Sequence, residues 1–76
     1  MEIKEFVANF AAQFDDTDVS VFTPETKFRE LEEWSSLVTL SILAMVDEEY
    51  DVALKGDDIR SSITIQDLFD KVCRAK

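Results

Sequence analysis

The feature that most constrains this chain is its poverty in turn residues: one glycine, Gly56, and one proline, Pro24, in 76 residues. A β-rich fold of this length reverses direction often and draws on Gly and Pro to do so. Helices, which need few such residues, are therefore expected. Six phenylalanines and a hydrophobic share of 46% separate the chain from disordered acidic sequences and supply one core. The length suits a single domain over residues 1–76, too small for a deep catalytic cleft.

Apolar spacing places the helices. Ile3, Phe6, Val7, Phe10, Ala11 and Phe14 recur along one helical face, which predicts a first helix over about residues 2–15. Asp15, Asp16 and Asp18 oppose the helix dipole and open a loop. A calcium loop starting at Asp16 would need Gly and Glu where Val21 and Lys27 stand, so calcium is rejected. Residues 16–35 read as a long connection, pinned to the core by Phe28 and Leu31. Connections of this length in small domains are often functional. A second helix is expected from Ser36 to Tyr50, capped by Ser35 or Ser36, with Ile42, Leu43, Val46 and Tyr50 inward. Its other face, Leu37, Leu40, Ser41, Ala44, Asp47 and Glu48, runs from apolar to acidic. A short helix over 57–61 and a last one over about 65–74, opened by a Thr64/Asp67 capping box, complete the pattern. The fold class is thus all-α, a small four-helix bundle of three major helices and one short one. The expected core is Phe6, Phe10, Phe14, Leu31, Ile42, Leu43, Val46, Tyr50, Leu54, Ile59, Ile63, Leu68 and Val72.

Charge and chemistry remove whole classes of function. Seventeen acidic residues against eight basic ones give a net charge of −9, which repels nucleic acid and anionic membranes. No histidine is present, so the commonest general base and metal ligand is missing. Cys73 is the only cysteine; it cannot form an internal disulfide and is expected to be a partly buried, inert thiol. The first residues carry charges where a signal peptide needs an apolar run, and Ile42–Val46 is too short to span a membrane. The expectation is a cytoplasmic, monomeric protein that is not an enzyme.

The stretch that carries chemistry is Phe28-Arg29-Glu30-Leu31-Glu32-Glu33-Trp34-Ser35-Ser36-Leu37. A pinned loop delivers a serine to the head of the central helix. Here the chain resembles the acyl carrier proteins, in which Asp-Ser-Leu opens the second helix and the serine carries 4'-phosphopantetheine. The matching residues are Ser35-Ser36-Leu37. Nearly the whole chain takes part: the amphipathic first helix, the loop with Phe28 and Leu31, the acidic end Asp47-Glu48-Glu49-Tyr50, and Ile63-Thr64-Ile65-Gln66-Asp67-Leu68.

The resemblance implies a carrier that holds acyl intermediates as thioesters on an arm at Ser36, for fatty-acid, polyketide or related biosynthesis. The cofactor would come from coenzyme A through a phosphopantetheinyl transferase. Partners would be acyl-transferring or ketosynthase-type enzymes with basic docking patches, meeting Trp34, Leu37, Val38, Leu40, Ser41, Ala44, Asp47 and Glu48. A phosphodiester at a helix N-terminus is electrostatically favourable. Seven acids, from Glu30 to Asp51, lie between Arg29 and Lys55 with no basic residue among them, a field that can steer basic partners. Ser35 stands where the family carries Asp, and Val38 and Ser41 where many members carry acids. Ser35 is accordingly an alternative attachment site. An aminoacyl or peptidyl carrier, and an unmodified acidic adaptor docking through the second helix, are alternative functions.

Overall fold

The computed structural model describes residues 2–75. It is all-helical among them: α1 (Ile3–Ala11), α2 (Ser36–Tyr50), α3 (Gly56–Arg60) and α4 (Ile65–Ala75), with short 3-10 turns at Val19–Val21 and Phe28–Glu30. α1 packs on α2 and α4, and α3 bridges α2 and α4.

α1 stops earlier than its apolar spacing predicts. Beyond Ala11 the bonds tighten, Gln13 N donating to Phe10 O at 3.1 Å and Phe14 N to Ala11 O at 3.0 Å. The tighter turn still delivers Phe14 to the core. α2 begins at Ser36 because Ser35 Oγ accepts from Val38 N at 3.2 Å, satisfying a donor that the first helical turn leaves free. It ends at Asp51, whose φ of 56° is left-handed and breaks the helix. The predicted capping box of α4 forms: Asp67 N donates to Thr64 Oγ1 at 3.2 Å, and the Asp67 carboxylate accepts from Thr64 N at 3.1 Å and Ile63 N at 3.0 Å.

The core is an aromatic chain. Phe10 lies 5.5 Å from Phe28 and 5.7 Å from Phe14, while Phe6 lies 5.5 Å from Tyr50 and 5.4 Å from Phe69. Offset and edge contacts of this kind add to the area each ring buries. Four expected core residues need correction. Ile63 is 55% exposed, because the α3–α4 connection turns outward to put its N–H on Asp67. Leu31, Leu43 and Leu54 are half-buried, packed against the core from its edge. Phe22, Phe28, Val38, Met45, Val52 and Ile65 are buried as well. Cys73 is exposed rather than partly buried, since Leu68 and Val72 are the residues α4 turns inward there.

Among the described residues, no helix is long and apolar enough to cross a membrane.

Candidate functional site at the head of helix α2

The loop ahead of α2 is held by specific bonds despite its lack of regular structure. The Glu33 carboxylate accepts from Asp15 N at 2.7 Å, Asp16 N at 3.0 Å and Thr17 Oγ1 at 2.7 Å. The bond from Thr17, helped by the two backbone amides, holds the Glu33 carboxyl below its usual range. Glu33 is therefore a brace between the end of α1 and the start of α2. Its carboxylate keeps its negative charge, but its oxygens are engaged by three donors of the chain itself.

Trp34 follows the brace. Its ring packs 5.0 Å from Phe28 and 6.3 Å from Phe14, so it is half-buried over the start of α2. The aromatic contacts fix the loop one residue before the cap. Ser35 and Ser36 are both exposed, but they differ in what their environment asks of them. Ser35 Oγ is committed to the helix cap. Ser36 is the first residue of α2 and lines a depression of about 480 Å³.

That depression is floored by Trp34, Leu40, Leu43 and Ile59, with Thr39 and Gly56 completing the apolar part of its wall. Arg29 and Arg60 stand on its lining. Arg60 forms an exposed ion pair with Asp57, its neighbour one turn earlier in α3. α3 supplies Gly56, Ile59 and Arg60, and its position is set from α4. Lys71 Nζ donates to Asp58 O at 2.8 Å and also to Ser61 Oγ, while the fully buried Ser62 hydroxyl donates to Asp58 O at 2.8 Å.

The remaining predicted residues fall into three environments. Leu37, Leu40, Ala44, Asp47 and Glu48 are exposed along one ridge of α2, the first two at 74% and 62%. Ser41 is half-buried on the α1 side. Val38 is buried, which corrects its placement on the partner face: it points under the cap with Ile42 and Met45. On the α1 side of the ridge a second depression of about 380 Å³ is lined by Asn9, Gln13, Ser41, Met45, Glu48 and Glu49, among others.

Arg29, Arg60, Leu43 and Ile59 were not singled out as site residues from sequence. The one available signal was scarcity: the chain has three arginines, and two of them meet here.

The site pairs an exposed primary hydroxyl with the positive end of a helix and an adjoining apolar depression. With no histidine in the chain, it holds no imidazole base to activate that hydroxyl. Modification of this hydroxyl would require a base brought by another protein. No family model, curated protein or solved structure matches the chain.

Proposed function

We propose that this protein is an acyl carrier whose Ser36 bears 4'-phosphopantetheine and presents acyl groups to biosynthetic enzymes as thioesters. The observation that carries the reading is the position of Ser36: exposed, first in α2, beside an apolar depression, with the helix already capped by its neighbour. Capping by Ser35 leaves Ser36 available, which favours it over Ser35 as the attachment point. The chain then needs no catalytic group of its own, because the arm supplies the thiol and partner enzymes the chemistry.

In the attachment step, Ser36 Oγ attacks the phosphorus of coenzyme A that bears the pantetheine. A P–O ester bond forms, the phosphoanhydride bond breaks, and adenosine bisphosphate leaves. The serine proton passes to a base of the transferase. The product is a phosphodiester monoanion next to the free N–H groups of the first turn of α2, where the helix dipole favours it.

The exposed ridge Leu37, Leu40, Ala44, Asp47 and Glu48 is the surface for partner enzymes. Its apolar start and acidic end suit partners that present a hydrophobic contact flanked by Lys and Arg.

Incubation with coenzyme A and a broad-specificity phosphopantetheinyl transferase, followed by intact mass, tests the reading. One phosphopantetheine is expected on wild type and Ser35→Ala, and none on Ser36→Ala. Absence of the adduct from wild type, with a control carrier modified in the same tube, refutes it and favours an unmodified adaptor.

A further inference from the structure

The depression beside Ser36 has a charge pattern that runs against the rest of the chain. The protein carries −9 overall, yet the residues lining this depression include two arginines and no acidic residue, the Asp57 carboxylate pairing with Arg60 from outside the lining. The depression across the ridge shows the reverse, with Glu48 and Glu49 and no cation. Two of three arginines have thus been brought to one apolar hollow from separate elements, Arg29 from the loop and Arg60 from α3. A purely hydrocarbon cargo gains nothing from them, and leaving charges on the rim of an apolar hollow carries a desolvation cost when it fills. An anionic cargo, by contrast, would be repelled by this acidic chain unless cations met it locally.

We infer that the depression selects acyl groups that end in a carboxylate. This rests on the phosphopantetheine reading of Ser36. The methylene chain lies against Trp34, Leu40, Leu43 and Ile59, and the distal carboxylate meets Arg60 and Arg29. Planar guanidinium groups match a carboxylate geometrically, which an ammonium does not. The volume, about 480 Å³, falls within the range of small-molecule sites. The Arg60 guanidinium pairs with Asp57, and the cargo carboxylate competes for it.

Adipoyl and hexanoyl thioesters provide a matched pair, equal in carbon number and differing in the distal carboxylate. Each is loaded on wild type and on the Arg29→Gln/Arg60→Gln double variant from its coenzyme A ester. Cleavage by neutral hydroxylamine is then followed by intact mass. For exposed charge pairs the expected protection of the adipoyl thioester is modest, about three-fold slower cleavage on wild type than on the double variant. The hexanoyl rate is expected to be the same on both proteins. Amide shifts of Leu40, Leu43 and Ile59 should separate adipoyl from hexanoyl on wild type and converge on the double variant.

Equal rates for adipoyl on wild type and double variant overturn the inference while leaving the carrier reading intact. So does a loss of protection common to both cargoes, which would assign the arginines to the phosphodiester of the arm. Failure of both esters to load, with a control carrier loading normally, overturns the carrier reading itself and this inference with it.

Discussion

The two flanks of α2 make the most informative comparison in the molecule. On one flank, α1 and α2 enclose a polar depression lined by Asn9, Gln13, Ser41, Glu48 and Glu49. The walls are α2 and α1 with the tight turn that follows it, and Asn9 Nδ2 ties the two helices together by donating to Tyr50 Oη at 2.9 Å. On the other flank, the walls are a loop and the five-residue α3. Neither wall is stable alone: a helix of this length does not form in isolation, and the loop stands on the Glu33 brace and its aromatic contacts. Segments with few buried contacts open at lower free energy than the elements around them. The flank beside Ser36 is therefore the deformable one, and the ridge between the flanks belongs to a helix held on both sides.

Three perturbations would break or sharpen this contrast. The largest effect is expected from Phe28→Ala. Phe28 is fully buried and touches both Phe10 and Trp34, so its loss should cost about 3–5 kcal/mol. Urea unfolding followed by Trp34 fluorescence and by helix circular dichroism should shift together. Separate shifts would mean that the loop unfolds independently of the bundle, and the contrast would then be between two domains of stability.

A smaller and more local effect is expected from Lys71→Met, which removes the donor to Asp58 O and Ser61 Oγ. The cost should be about 1–2 kcal/mol, since the bonds involve a charged but only half-buried donor. Hydrogen exchange should accelerate in α3, with α1 and the body of α2 unaffected. Uniform acceleration across all helices would show that α3 is not a separately opening wall.

The smallest effect is a matter of pH. The Glu33 carboxyl is depressed in the folded protein, mainly by the bond from Thr17 and with help from the backbone amides of the 15–17 turn. A depressed carboxyl contributes stability that is complete above its unfolded pKa and is lost as pH falls through the folded one. Loosening around Trp34 should begin below the ordinary glutamate value of 4.5 and grow with further acid. Asp67, depressed by the amides of Thr64 and Ile63, adds the same sign at the start of α4. Glu33→Gln should flatten the Trp34 acid titration; an unchanged titration would assign that transition to Asp67 or to Asp18, whose carboxyl is lowered by the bond from Ser20 N.

Much of this architecture was legible before any coordinates. The extent of α2, a serine cap at its head, the short α3 and the Thr64/Asp67 box follow from local rules; the structure decides between Ser35 and Ser36 as the cap, in favour of Ser35. The exposure of Ser36 was legible for the same reason. The misreadings share a different cause. Val38 and Met45 were missed because α2 is apolar on several sides, so periodicity does not choose among its faces. Phe22 and Val52 lie outside regular helices, where periodicity is silent. The Glu33 brace joins residues far apart along the chain, and its carboxylate looked like one more surface acid. The meeting of Arg29 and Arg60 is a product of tertiary packing and left no local trace.

The start of α4 has a further consequence, for the order in which the chain folds. Helix-opening N–H groups are ordinarily left to water or to a cap. Here Ile65 N donates to Thr26 O at 3.2 Å and Gln66 N to Pro24 O at 2.8 Å. The last helix is therefore docked through its own backbone onto the middle of the long connection. A nascent chain that has made only the first three helices leaves those two loop carbonyls without partners. Closing that loop costs entropy before any contact repays it. The chain is thus expected to commit late and all at once, acquiring the fixed geometry around Ser36 only when its final helix arrives.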